Sequence, residues 1–163
     1  MPDGRSIVTN TTPLIALAAA TGSLDVLQVL YRRVIVPFEV QEELRAAGER
    51  AVGVSEFEQA TWLERRMAPV ALTPFINNSL DRGEASVIQT AINEKIALVC
   101  IDESVGRRIA RLSGLALTGS IGVLIKARRQ GYAISMPQAL DRMRRHGIWL
   151  SEDVVSFAMA QAD

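Results

Sequence analysis

Residues Ser6 to Thr12 read S-I-V-T-N-T-T, and Pro13 follows at the head of an apolar stretch, Leu14 to Ala20. The β-branched residues at the start predict a short buried strand that stops at a small polar cluster. A second run, Ile96-Ala97-Leu98-Val99-Cys100-Ile101, ends in the same manner on Asp102-Glu103-Ser104. Two apolar strands that each release polar residues at their C-terminal ends predict an open α/β sheet. The working crevice of such a sheet lies just beyond those ends.

Working outward, Thr12 reads as an N-cap and Pro13 as the first residue of a helix to Ala20. Gly22 stops that helix, and Ser23 caps another over Leu24–Tyr31. Val34–Val36 reads as a strand and Phe38–Ala47 as a helix ended by Gly48. Ser55-Glu56-Phe57-Glu58 has the form of a capping box, and Trp62–Val70 stays open between extended and irregular chain. Asp81-Arg82-Gly83-Glu84 repeats the capping pattern at the head of a helix to Glu94, with Ala85, Ile88 and Ile92 as its apolar stripe. After strand Ile96–Ile101, the pattern gives helix Val105–Ser113, strand Leu115–Thr118 and helix Ile121–Gln130. A helix from Ser135 to about His146 and a last one from Ser151 to Ala160 close the chain. Strands alternating with helices imply parallel pairing through right-handed crossovers, hence a three-layer α/β domain over residues 1–163.

Composition narrows the function. With 48% apolar residues, 22% charged residues and a net charge of +0, the chain is not built to coat nucleic acid indiscriminately. A local basic rim around an acidic pocket remains compatible with that balance. The positive charge is almost all Arg, Lys95 and Lys126 being the lysines, and Arg suits planar recognition of phosphate or carboxylate. Cys100 is the lone cysteine, so an intramolecular disulfide is excluded and a reducing compartment fits. Arg5 followed by Leu14–Ala20 imitates a signal peptide, but Thr9–Thr12 and Pro13 break it. No run reaches the roughly 20 apolar residues that span a bilayer. A cytoplasmic protein without a membrane partner is expected.

Topology gathers a group of oxygen-bearing side chains. Asn10 and Asp102 lie at strand ends, Glu43 (with Glu42 beside it) follows strand Val34–Val36, and Glu84 sits in the first turn of its helix. At an effective dielectric near 20, two carboxylates about 5 Å apart repel by roughly 3 kcal/mol, so such a group needs protons or a cation. Oxygen donors without His or Cys favour Mg²⁺ or Mn²⁺ over zinc.

Taken in order, N-T-T-P-L-I-A-L (Asn10–Leu17), V-Q-E-E-L (Val40–Leu44), L-D-R-G-E-A (Leu80–Ala85), I-D-E (Ile101–Glu103) and T-G-S-I-G-V-L (Thr118–Leu124) resemble the PIN-domain family. The likeness covers about Ile7 to Val155 and is closest to compact relatives of VapC-type toxins. It rests on the ordered set rather than on any one motif. The resemblance implies a Rossmann-like PIN fold with a mainly parallel central sheet. It further implies a Mg²⁺- or Mn²⁺-dependent ribonuclease with four acidic positions. Carried over, these are Asn10, Glu43 (Glu42 as the fallback), Glu84 and Asp102, which serve as metal ligands and catalytic residues. Thr12 matches the small hydroxyl residue after the first of them. An RNA substrate, an antitoxin protein and a homodimer are implied on the same ground.

Asn10 departs from the family's acid. It keeps a carbonyl oxygen for a metal but lacks a charge worth up to about 4 kcal/mol at roughly 4 Å, so weakened metal affinity is expected. The alternative is a non-catalytic module of the same fold that binds RNA or a protein. Either Glu43 or Glu84 would orient the attacking water. Arg107 and Arg111, on one face of the helix after Asp102, are candidates to hold RNA phosphates, beside the simpler reading of a solvated face. Trp62 and Trp149 are expected as core or interface anchors, and His146 at a helix end rather than in catalysis. Thr-Thr-Pro after the first strand, in place of a Gly-rich loop, argues against a nucleotide-cofactor site.

Overall fold

The computed structural model describes residues 5–161. Along the chain these form β1 (Ser6–Thr9), α1 (Thr11–Thr21), α2 (Asp25–Leu30), β2 (Arg33–Val36), α3 (Phe38–Ala46), α4 (Val54–Gln59), β3 (Glu64–Arg65) and α5 (Pro74–Ser79). There follow α6 (Arg82–Glu94), β4 (Leu98–Cys100), α7 (Ser104–Leu112), β5 (Ala116–Thr118), α8 (Ser120–Arg129), α9 (Met136–Arg145) and α10 (Glu152–Ala160). The sheet order is β3-β2-β1-β4-β5, and every pairing is parallel. This is the expected three-layer α/β fold.

The chain winds from β1 outward through β2 to β3, then returns to lay β4 and β5 on the other side of β1. The winding direction therefore reverses between β1 and β4. At that reversal the Asn10 N–H donates to the Cys100 carbonyl at 3.0 Å. Because crossovers are right-handed, the β1–β2 and β3–β4 connections cover opposite faces of the sheet. Covered on both faces, the central strands are apolar without alternation: Ile7, Val8, Ile35, Val36, Val99 and Cys100 are fully buried. Burial pushes the Cys100 thiol far above its ordinary pKa, which leaves it an unreactive core residue.

Helices α1 and α6 lie centrally. In α1, Leu14, Ala16, Leu17, Ala18, Ala19 and Ala20 are all buried, and Gly22 closes it in the left-handed region at φ +81. In α6, burial runs without a break from Gly83 to Ala91, and α6 packs against α3, α5 and α7. This seats its first turn deep in the molecule, where a carboxylate is costly.

Several local expectations are corrected. Helix α1 starts at Thr11 with Asn10 in the cap position, so Thr12 and Pro13 lie inside the first turn. Pro13 is tolerated there because first-turn N–H groups have no intrahelical acceptor. Helix α4 begins at Val54 after Gly53, and the Glu56 carboxylate accepts the Gly53 N–H at 3.0 Å, so Ser55 is not its cap. Ile92 is 42% exposed and leaves the α6 stripe to Val87, Ile88 and Ala91. Trp149, 83% exposed, is not in the core, whereas Trp62 is half-buried against it. Helix α5, opened by Thr73 and Pro74, was not expected, and β3 is confined to Glu64 and Arg65. Among the described residues, no helix is long and apolar enough to cross a membrane.

Candidate metal centre

In a parallel sheet all strands point their C-terminal ends to one edge. The helices that follow β1, β2, β4 and β5 start at that edge, and so does α6, which runs back toward the start of β4. Their N-termini carry partial positive charge and unpaired N–H groups, which suits carboxylates and phosphates. Reversal of the strand order between β1 and β4 opens the crevice at this edge.

Asn10 leaves β1 into this crevice. It is 3% exposed, and its Oδ1 has no hydrogen-bond partner. From α3, Glu42 turns outward to an exposed ion pair with Arg82 at 3.1 Å. Glu43, also solvent-exposed, reaches toward the start of α6 instead. A methyl group built on Gly83 would overlap Glu43 Oε2 and stand 3.4 Å from Asn10 Oδ1. Glycine at this position thus lets the start of α6 approach both groups.

Glu84, the next residue, is 5% exposed, and its Oε2 also lacks a partner. Its N–H donates to Asp81 Oδ1 at 2.9 Å, the N-cap bond of α6. One oxygen each from Asp81, Glu84 and Glu103 lie within 4.8 Å of one another. Asp81 and Glu103 are exposed at the rim above buried Glu84. The Thr12 hydroxyl, in the first turn of α1, donates to Glu103 Oε1 at 3.2 Å. On the far side, a methyl on Gly106 of α7 would overlap Glu84 Oε2.

Crowding shows in the acidities. Burial, then hydrogen bonding to Asp81 and the charges of Asp81, Glu103 and Glu43, push Glu84 from its ordinary 4.5 up to about 8. Glu43 is raised by burial and then by Asp81. The neighbouring Thr11 hydroxyl, which completes no hydrogen bond of full geometry, offsets part of that rise. These groups reject a further negative charge and accept a proton or a cation.

Asp102 shares the edge but stands outside that group of three, against the start of α8. Its Oδ1 accepts the Ser120 N–H at 2.7 Å and its Oδ2 the Ser120 hydroxyl at 2.9 Å. A methyl on Gly119 would stand 2.6 Å from Oδ1. Burial raises the Asp102 carboxyl, while the Ser120 bonds and the Arg107 guanidinium pull it back. Arg107 itself folds onto the Ile101 carbonyl at 2.8 Å and is half-buried, whereas Arg111 is exposed one turn on. The structure thus brings Asn10, Glu43 and Glu84 together with Thr12 alongside, and seats Asp102 and Arg107 against the start of α8.

Asp81 and Glu103 join the cluster although their sequence context reads as helix capping. The signal for them was present only as the extra acid in D-R-G-E and in D-E-S. An all-oxygen donor set with buried, unpartnered Asn10 Oδ1 and Glu84 Oε2 fits a hard divalent cation. A family model described as a PIN domain matches residues 6–163. No curated protein matches the chain.

Proposed function

The chain belongs to the PIN-domain family, and on that premise we propose that it is a metal-dependent endoribonuclease formed as one domain. Asn10, Glu43 and Glu84 would hold Mg²⁺ or Mn²⁺, with Asp102 as the fourth family position at the end of β4. The observation that carries this reading is the pair of buried oxygens without partners, Asn10 Oδ1 and Glu84 Oε2, beside carboxylates at the reversal of the sheet. A divalent ion bound there would supply Lewis-acid polarisation of a phosphodiester and lower the pKa of bound water.

The chain's own groups supply the rest. The N-termini of α1 and α7 offer partial positive charge to an RNA phosphate entering the crevice. Arg111, exposed on α7, would contact a neighbouring phosphate, while Arg107 steadies the end of β4. Glu43 or Glu84, as a carboxylate, would orient the attacking water and take its proton. The cellular setting consistent with the family is the cytoplasm, as a homodimer restrained by an antitoxin protein.

The test is calorimetric titration of the metal-stripped protein with Mn²⁺, with RNA cleavage followed before and after chelation. Binding of Mn²⁺ and chelator-sensitive cleavage support the reading. Absence of both, in the natural sequence and in Asn10→Asp alike, would sink it. A second reading, a non-catalytic RNA- or protein-binding module, is favoured by the uncharged Asn10. It requires RNA binding with no Mn²⁺-dependent cleavage.

A further inference from the structure

We propose that Asp81 and Glu103, not Asp102, complete the negative shell around the ion, and that Asp102 is a positioning residue that fixes α8 to the end of β4. This inference rests on the metal-dependent reading above. Its starting point is a deficit: Asn10 brings an oxygen to the crevice but no charge, so the charge opposing a divalent cation must come from other groups.

Asp81 and Glu103 have the geometry for it. Each lends an oxygen to the group of three that lies within 4.8 Å of one another around Glu84. Shell oxygens about 2.1 Å from a small divalent ion are separated by up to roughly 4 Å, so modest side-chain rotation would gather these around one ion. Each is oriented by a hydrogen bond from a neighbouring helix start. Glu103 Oε1 accepts from Thr12 and Asp81 Oδ1 from the Glu84 N–H, which orients both carboxylates. The second, independent sign of a ligand is the pair of orphaned atoms, Glu84 Oε2 and Asn10 Oδ1, on residues 5% and 3% exposed.

Asp102 is organised in the opposite way. Both of its oxygens accept hydrogen bonds from Ser120, and Arg107 stands beside it. A cation would have to compete with these bonds and with the Arg107 guanidinium for the carboxylate, and drawing it inward would loosen its hold on the N-terminus of α8. Glu103, at the N-cap of α7, is tied instead to Thr12 at the start of α1 and lies beside Asp81 and Glu84.

The experiment compares Glu103→Gln, Asp81→Asn and Asp102→Asn with the natural chain by Mn²⁺ calorimetry and by thermal unfolding without metal. Asparagine still caps a helix, so Asp81→Asn keeps α6 intact. Glu103→Gln and Asp81→Asn should each weaken Mn²⁺ binding about tenfold or more, with the metal-free Tm unchanged or raised. Asp102→Asn should lower the metal-free Tm and leave Mn²⁺ affinity within about threefold. Ser120→Ala, which removes only the hydroxyl partner of Asp102, should behave as Asp102→Asn does. Loss of Mn²⁺ binding in Asp102→Asn with unchanged Glu103→Gln and Asp81→Asn would overturn the inference while leaving the nuclease reading standing. Equal losses in all three would also overturn it. A natural chain that takes no Mn²⁺ removes both.

Discussion

Asp102 and Ser120 are joined twice: the carboxylate accepts the serine N–H at 2.7 Å and its hydroxyl at 2.9 Å. The bond pair ties the exit of a central strand to the first residue of α8, where a negative charge also meets the positive end of the helix. Removing the hydroxyl with Ser120→Ala should cost about 1 kcal/mol. At this chain length that corresponds to roughly 2–4 °C in Tm, readable by calorimetry. An unchanged Tm would mean that the hydroxyl contributes nothing to this anchor.

Glu84 makes stability depend on pH in an uncommon direction. Its carboxyl ionises near 4.5 in the unfolded chain and at about 8 in the native crevice. Between those values the native state holds a proton that the unfolded state has released, so stability falls as pH rises. The metal-free protein should therefore melt at a lower temperature at pH 8 than at pH 5.5. Excess Mn²⁺ should reverse the loss at pH 8, since binding replaces the proton. Melting curves at both pH values, with and without Mn²⁺, test this; a rise in metal-free Tm toward pH 8 would contradict it.

Asn10→Asp should strengthen the ion's hold and weaken the empty fold. A charge at this 3% exposed position adds attraction to a divalent ion and repulsion from Glu43 and Glu84. Mn²⁺ affinity should rise about tenfold or more, while the metal-free Tm at pH 8 falls by several degrees, roughly 2–6 °C. Metal-dependent RNA cleavage should rise with the affinity. The two melting shifts, opposite in sign with and without Mn²⁺, are the signature to look for.

Gly83→Ala separates folding from binding. The added methyl meets only the flexible end of Glu43 and the edge of Asn10, so α6 still forms. Alanine also favours a helix over glycine by about 1 kcal/mol. The expected outcome is a Tm equal to or above that of the natural chain, with Mn²⁺ affinity reduced about tenfold as Glu43 is pushed aside. If affinity is retained, Glu43 is not a ligand.

The order of elements was legible in the sequence because each signal was local. Ser6–Thr9 and Arg82–Glu94 appear where β-branched runs and the Asp81 cap require them. The parallel sheet and the edge bearing Asn10, Glu43 and Glu84 follow from strand–helix alternation alone. Local reading does not supply a side chain's partners. Asp102 and Glu103 are neighbours with the same charge, and only the fold ties the first to Ser120 and the second to Thr12. Asp81 reads as a cap and is one, yet the carboxylate that caps α6 also stands beside Glu84. Trp149 carries no pattern to mark it as exposed, and β3 is too short to leave a period in the sequence.

The outer strand β3 consists of Glu64 and Arg65, and Arg33 on the neighbouring strand grips the Glu64 carboxylate with two nitrogens at 2.7 and 3.1 Å. At the opposite margin β5 has three residues. So short and charged a border gives an incoming chain little backbone to zip onto. Runaway fibril growth by strand addition is thereby discouraged in the native state, and copies that associate must do so through side-chain surfaces instead.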